Sequence, residues 1–431
     1  MNRGLFKHPP VKEGRAEGGS VAFGGHARPP EGQVRLLLKQ KRIMTGTWLA
    51  HFMHDGFTDM LYVFFPVWQV QFGLSFAQVG FFKTLFSGTL AGFQVPSSYL
   101  ADRVGGVRLL LAGTLLTSAA VLAYGWATTP VTLGVLLVVG GLGASVQHPI
   151  CSTMISSSCA DKELRRTALS VFNVSGDVGK LVFPASAALL ISGFGWPVAS
   201  RSMGGFGVLV LLVLIVLALP VLSGAPAAKA AKSSRASRTP SGGERNSAFL
   251  ALLTIGILDS ATRMGFLTYF PFLLRDKGVD IAVTGSALSL IFAGGIAGKF
   301  ICGILATRVG VLRSVLITEA LTAVCIWAAI ILPFGAVMAL CPVMGLALNG
   351  TSSVLYGSVP ELVPEDRRNQ SFAVFYTATI GSGAVSPFVY GLAGDLVGIV
   401  PTLVLVGTVI LGALPLTLPL RGKLGLDAPG A

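Results

Sequence analysis

Charge is scarce in this chain. Asp, Glu, Lys and Arg together make up 12% of its 431 residues, about half the share found in an average soluble domain. A water-soluble globule of this length would need polar faces on every surface element, and they are missing. The five cysteines, Cys151, Cys159, Cys302, Cys325 and Cys341, form no CxxC pair. Neither a disulfide framework nor a cysteine metal site is expected, and they read as small packing hydrophobes. There is no G-x-x-x-x-G-K-[ST] loop, so ATP is not the expected energy source. Nothing points to an enzyme or to a resident cofactor. His51 and Asp55 can share a helical face, but two groups do not make a site, so no metal is expected. The net charge of +13 would fit a nucleic-acid partner in a soluble protein. Here the positive charge lies between apolar runs and no nucleic-acid motif accompanies it.

Apolar runs are abundant instead. The chain is 52% hydrophobic, and stretches of about twenty apolar residues, enough to cross a bilayer as a helix, recur along its length. Twelve spans are expected, at roughly 43–70, 77–101, 109–127, 131–158, 167–191, 202–222, 248–272, 282–306, 314–332, 335–358, 371–393 and 400–420. The fold class is an all-α membrane protein: two pseudo-symmetric bundles of six helices, 43–222 and 248–420. Residues 1–42 are polar, basic and rich in Gly and Pro, and carry no apolar signal-peptide core. They read as a disordered tail. Residues 223–247, SGAPAAKAAKSSRASRTPSGGERNS, read as a flexible linker, and 421–431 as a second short tail.

Lys and Arg set the orientation. Nearly all loop bases fall on the side holding both termini, the linker, DRVGGVR, DKELRR, TRVGVLR and PEDRR. That side is expected to be cytoplasmic, in a bacterial-type inner membrane. Arg201, Arg275 and Lys277 are the exceptions. The chain also repeats itself. LADRVGGVR (100–108) matches LATRVGVLR (305–313), and FFP (64–66) matches YFP (269–271), both at an offset of 205. Arg165, Val171, Phe172 and Pro184 recur as Arg368, Val374, Phe375 and Pro387 at an offset of 203. Such a duplication places a binding site between the halves, near the midplane.

The charges inside the spans are the candidate site. In span 1, His51, Asp55, Thr58 and Tyr62 share one stripe at about 100° per residue, flanked by His54 and Asp59. Facing lipid would cost about 2.5–3.5 kcal/mol per charge even on the low scales, so the stripe must face protein or a water-filled cavity. One reading is proton coupling, by carboxylates in a partly dry cavity and histidines that titrate near neutrality. The other is packing, with His51 and Asp55 hydrogen-bonded at i,i+4. Span 2 adds Lys83, with Ser87 and Gln94 on its face; Lys83 either lines the cavity or snorkels outward. Span 5 aligns Asn173, Asp177 and Lys180; the last two either neutralise each other at i,i+3 or form a cavity pair that an ion or substrate opens. Span 7 offers Asp259 and Arg263 at i,i+4. The guanidinium suits an anionic group such as a carboxylate or phosphonate; the alternative is a structural salt bridge. Lys299 is a further candidate, Glu319 reads rather as a packing or interface group, and His148-Pro149 as a kink with a satisfied histidine.

Twelve spans, a central linker and the turn SYLADRVGGVRLL between spans 2 and 3 resemble the major facilitator superfamily. Leu100, Ala101, Asp102, Arg103, Gly105 and Arg108 fit that family's turn, whereas Ser98 replaces its leading Gly. The second copy keeps Arg308, Gly310 and Arg313 but has Thr307 at the acidic place. The resemblance implies that Asp102, Arg103, Arg108, Arg308 and Arg313 form a cytoplasmic gate between the bundles. A narrower likeness is to exporters of the fosmidomycin-resistance type, resting on LSFAQVGFFKTL, GLGASVQHP, FNVSGDVGKLVFP and PELVPEDRRNQSFAVF. Phe183 stands where such exporters often have Gly before the span 5 proline, and Asp177 and Lys180 are added charges. The expectation is a secondary transporter, working as a monomer in the lipid bilayer. It would move a small solute bearing an anionic group, with a proton gradient as energy source and efflux favoured. The alternatives are uptake of a small organic acid by proton symport and a non-transporting membrane sensor or assembly protein.

Overall fold

The computed structural model describes residues 31–159, 161–222, 247–421 and 424. Residues 39–431 form one compact unit; of the unit Met1–Leu38, the described part is the start of the first helix. The tail expected at 1–30, nearly all of the linker and most of the second tail lie outside the described residues.

All described secondary structure is helical. Helices α1 (Glu31–Phe72), α2 (Phe76–Val104) and α3 (Gly106–Tyr124) are the first three spans. The fourth is α4 (Pro130–Ala144) followed by α5 (Gln147–Ser158). Spans 5 to 11 are α6 (Lys162–Phe194), α7 (Trp196–Leu222), α8 (Ser247–Asp276), α9 (Ile281–Val309), α10 (Val311–Ile331), α11 (Phe334–Leu362) and α12 (Arg368–Val397). The twelfth joins α13 (Ile399–Leu411) and α14 (Ala413–Leu416). Ten of these spans are long and apolar enough to cross a membrane by length and composition. The other two, α1 and α2, fall short because they carry the charged stripe and Lys83.

One expectation is corrected. Residues 31–42, read as part of a disordered tail, are the first three turns of α1. QVRLLLKQKR holds strong helix formers and neither Gly nor Pro, so local propensity extends the span beyond its apolar part.

The duplication is written into the backbone. The positive-φ residues among those described are six glycines: Gly73, Gly105, Gly195, Gly278, Gly310 and Gly398. They fall into three pairs at the sequence offsets, 73 with 278 and 105 with 310 at 205, and 195 with 398 at 203. Each ends one helix and turns the chain into the next, where a side chain would be strained. Proline inside the helix is likewise shared, at Pro66 and Pro271 in α1 and α8 and at Pro184 and Pro387 in α6 and α12.

The helix pairs α2 with α12 and α6 with α9 join the halves. Small residues permit the approach: a Cβ on Gly80 would strike the Pro387 carbonyl, and one on Gly285 would strike Ala188. In a bilayer, where lipid is as apolar as leucine, such close packing carries much of the association. Polar clamps add to it at the end away from the basic loops. Asp395 of α12 accepts from the backbone N–H groups of Phe76 (2.6 Å) and Ala77 (3.1 Å), capping α2 across the interface. Tyr269 Oη lies 2.6 Å from the Pro387 carbonyl and 3.0 Å from that of Phe76. Arg275 donates to Gln69 (2.8 Å) across the interface, whereas Lys277 donates to the carbonyls of Ile330 and Leu332 (2.8 Å each) within the second half. Two of the bases that broke the charge rule are therefore structural donors.

Toward the basic loops the halves part. Among the described residues, no hydrogen bond or ion pair links them beyond the midpoint of α6 and α9, and Asp102, Arg103, Arg108, Arg308 and Arg313 are all exposed without a salt-bridge partner. None of the five gate candidates is ion-paired with another among the described residues.

Candidate functional site

The polar stripe of α1 points inward. His51, His54, Asp55 and Asp59 are each less than 9% exposed, as the cost of facing lipid requires. A seam of glycines lets α6 lie against this stripe. A Cβ on Gly179 would strike the Phe52 carbonyl, one on Gly56 the ring of Phe183, and one on Gly176 the side chains of Asp55 and His51.

Asp55 is the centre of the site. Its Oδ1 faces three imidazole nitrogens: His51 Nε2 at 3.4 Å, His148 Nε2 at 3.7 Å and His54 Nε2 at 3.8 Å. Its Oδ2 is 3.2 Å from Lys180 Nζ. Behind them, His51 Nδ1 lies 2.6 Å from the Phe172 carbonyl and its ring stacks on that of Phe172 at 3.9 Å between centroids. His148 comes from a break in the fourth span. Ser145 hydrogen-bonds the Leu142 carbonyl and Ser97, Gln147 donates to Thr114, and Pro149 sits in the first turn of α5, where its missing N–H costs nothing. The kink expected at His148-Pro149 is present, but its histidine reaches the site. Sequence reading missed this because span 4 carries no charge to mark its inner face; the signal was the rarity of histidine.

Asp177 and Lys180 pair as their i,i+3 spacing suggested, though each has a nearer partner. Their closest approach is 3.9 Å. Lys180 turns to Asp55, and Asp177 takes Lys299 of α9, whose Nζ lies 2.8 and 2.6 Å from its two oxygens. The physical reason is reach: a lysine from the facing helix meets the carboxylate end-on, whereas a neighbour on the same helix must bend along it. The result is a chain of alternating charge, Asp55, Lys180, Asp177, Lys299, that crosses from one half to the other.

Lys83 does not snorkel. It is 1% exposed, 3.5 Å from the Thr58 carbonyl, with its ammonium 4.4 Å above the ring of Tyr62. Tyr62 Oη reaches Met264 across the interface. Asp59 lies within range of the charges of Lys83, Lys180 and Arg263.

The second half carries its own cluster. Asp259 and Glu319 are buried and interact with Arg263. Asp259 and Arg263 form no direct ion pair among the described residues, so the salt bridge weighed for them is absent. Arg263 Nε, Glu319 Oε1, Thr262 Oγ1, Thr322 Oγ1 and Ser314 Oγ are buried without a hydrogen-bond partner. Glu319, expected to pack at an interface, is 1% exposed and faces these charges.

A cleft reaches the first cluster. At mid-span depth the side chains of Lys180, His148 and Lys299 are 31%, 35% and 41% exposed, which closed packing would forbid. Toward the basic loops α6 lines a groove of about 380 Å³ with Lys162, Arg165, Arg166, Leu169, Ser170 and Asn173. These residues lie along the helix face that continues to Asp177 and Lys180.

A family model described as Major Facilitator Superfamily matches residues 47–258 and again 252–426. The chain belongs to the Major Facilitator Superfamily. It is a multi-pass membrane protein of that fold. Curated relatives match over shorter stretches. The fosmidomycin resistance protein of Escherichia coli K12 is 27% identical over 154 residues, 34% of this chain and 36% of that protein. The methyl viologen resistance protein SmvA of Salmonella typhimurium is 28% identical over 137 residues, 32% of this chain and 28% of its own. The cephamycin export protein CmcT of Amycolatopsis lactamdurans is 29% identical over 130 residues, 30% of this chain and 27% of its own. The matches thus span about a third of each relative's length. Among solved structures, a bacterial homologue of the human lysosomal transporter Spinster, inward-facing and occupied, superposes with a TM-score of 0.72 at 16% identity, over 90% of this chain and 98% of that one. A variant of the nucleoside transporter NupG gives 0.71 at 12% identity, over 89% and 100%. At those identities the likeness is one of fold.

Proposed function

We propose that the protein is a proton-coupled secondary transporter of a small solute bearing an anionic group, exporting it from the cytoplasm. The observation that carries this reading is the charge chain from Asp55 to Lys299. It lies at mid-depth, open to a one-sided cleft, and its last link is the Asp177–Lys299 pair between the halves. A carboxylate that holds a lysine when charged and releases it when protonated can report its state to the other half, which is what coupling requires. The anionic preference is supported by Lys162, Arg165 and Arg166 at the groove, Lys180 and Lys299 at its depth, and Arg263 beyond, whose fork suits a carboxylate or phosphonate. On the positive-inside orientation, with the basic loops and both termini in the cytoplasm of a bacterial inner membrane, this conformation is inward-open. Efflux is favoured because the matched relatives are named for resistance and export. The bundles are self-contained, so a monomer suffices.

The test is transport into inside-out proteoliposomes under an imposed pH gradient, with fosmidomycin as the first probe and a panel of organic anions after it. The expected result is gradient-dependent accumulation with proton movement in the opposite direction. Proton movement in the same direction as the solute would replace efflux by uptake. No movement of any anion, with correctly inserted protein, would refute the transport reading.

A further inference from the structure

We propose that His51, Asp55 and His148 form a binding site for a divalent transition-metal ion of the zinc class, with His54 as a fourth donor within reach. Three of the five histidines in the chain converge on a single carboxylate oxygen in the interior of a membrane bundle. Chance packing does not require this, since each ring could bond a backbone carbonyl instead.

The distances bring the donors to within an ångström or so of coordination, a gap that side-chain rotation closes. With bonds of about 2.05 Å, the ligand atoms of a tetrahedral zinc site stand about 3.3 Å apart. The three Nε2 atoms lie 3.4, 3.7 and 3.8 Å from Asp55 Oδ1, and the donor atoms of His51, Asp55 and His148 all lie within 4.8 Å of one another. The set of imidazole nitrogens with one carboxylate suits zinc, cobalt or nickel and disfavours the all-oxygen preference of calcium and magnesium.

The protonation geometry of His51 makes the stronger case. Its Nδ1 donates to the Phe172 carbonyl at 2.6 Å, the outer-shell bond that fixes the tautomer and orientation of metal-binding histidines. In the neutral ring the Nε2 lone pair is then bare. That atom is buried, has no hydrogen-bond partner, and points at a carboxylate oxygen, which is also an acceptor. Two acceptors facing each other are held either by a proton on the ring or by a metal cation between them, and only the metal also draws in the His148 nitrogen. Gly176 leaves room for the arrangement, since any Cβ there would collide with Asp55 and His51. His148, 35% exposed, opens the site to the cleft, so the ion would exchange rather than be locked in.

The competing cation is Lys180, 3.2 Å from Asp55 Oδ2. A divalent ion on Oδ1 would repel it toward Asp177, already 3.9 Å away. Ligand and competitor variants should therefore move affinity in opposite directions.

The test is calorimetry with zinc chloride on the full chain in detergent. It is purified without a histidine tag, in a background where His8 and His26 are alanine. One zinc per chain is expected. His148→Ala and Asp55→Asn should each weaken binding by more than about a hundredfold, since outer-shell partners alone are worth about 10–100-fold. His148→Cys should retain it, because a thiolate also ligates zinc, and Lys180→Met should tighten it. Zinc-induced thermal stabilisation, present in the parent and lost in His148→Ala, separates lost binding from misfolding. Absence of zinc binding by the parent, or binding unchanged in both ligand variants, overturns the proposal. Neither readout involves transport, so the result stands apart from the proposed solute transport.

Discussion

The two halves share one scaffold and treat charge in opposite ways. In the first half, Asp55, Lys180 and Asp177 have ion-pair partners, and the edges of the cluster touch the cleft. In the second, Asp259, Arg263 and Glu319 interact at longer range while several polar atoms around them are buried and unpartnered. A buried polar atom without a partner costs about 1–3 kcal/mol, so the bare Arg263 Nε and Glu319 Oε1 ask for a reason. The duplicated backbone, with its paired positive-φ glycines, dictates where helices lie but not which residues line them. The difference is one of pairing: Asp55, Lys180 and Asp177 of the first half are ion-paired, while Asp259, Arg263 and Glu319 form no ion pair among the described residues.

The largest effect should come from the centre of the first cluster. Asp55→Asn removes the charge that faces three histidines and Lys180, leaving a lysine at mid-depth with only Asp177 to answer it. Transport should fall at least about a hundredfold, a loss of more than about 2.7 kcal/mol from the transport step, with normal membrane insertion. Solute uptake by proteoliposomes measures it. Activity within twofold of the parent would show that the cluster only packs.

Next in size is the link between the halves. Lys299→Met or Asp177→Asn should each lower transport about tenfold, and the exchange Asp177→Lys with Lys299→Asp should recover part of it. A double-mutant cycle isolates the pair. Additive losses with no recovery in the exchange would mean that the two residues act separately.

How much of this was legible beforehand follows from the range of each interaction. Twelve spans, the two bundles and the inward turn of the α1 stripe follow from local composition and helical period, and they are present. The Asp177–Lys180 pair was expected because i,i+3 is visible along one helix. That pair is present at 3.9 Å, but the nearer partner, Lys299, is 122 residues away, and no single sequence shows that α6 meets α9 at that register. His148 was undervalued because span 4 carries no charge to mark its inner face. Glu319 was read as a packing or interface group, and the fold buries it within range of the charges of Asp259 and Arg263, a proximity between spans that its own helix does not reveal. Residues 31–42 were misread because a tail was judged by its Gly and Pro average, which hid a good helical segment at its end.

In the second half the effects should be smaller and shifted from rate to affinity. Arg263→Lys keeps the charge but loses the planar fork. It should raise the KM for an anionic solute about fivefold to tenfold and leave the maximal rate within about threefold. Glu319→Gln should do less to KM and more to the maximal rate. Initial rates over a range of solute concentrations resolve the two. A collapse as deep as that of Asp55→Asn would erase the contrast between the halves.

The smallest effect tests the clamp that holds the halves together away from the basic loops. Asp395 places a carboxylate on the first two N–H groups of α2, where the helix dipole favours negative charge by about 0.3–1 kcal/mol at an exposed terminus. Asp395→Asn keeps one acceptor and removes the charge. The population should therefore shift toward opening at that end by about twofold to fivefold. Single cysteines at Gln69 or Thr84, in a chain freed of native cysteines, would report it through their labelling rate by a membrane-impermeant maleimide. Faster labelling from the side of Asp395, with slower labelling at Asn173 on the groove, is the expected pattern. Because Tyr269 and Arg275 still bridge the same end through Phe76 and Gln69, the shift should stay small; an effect larger than tenfold would mean that Asp395 alone sets which side is closed.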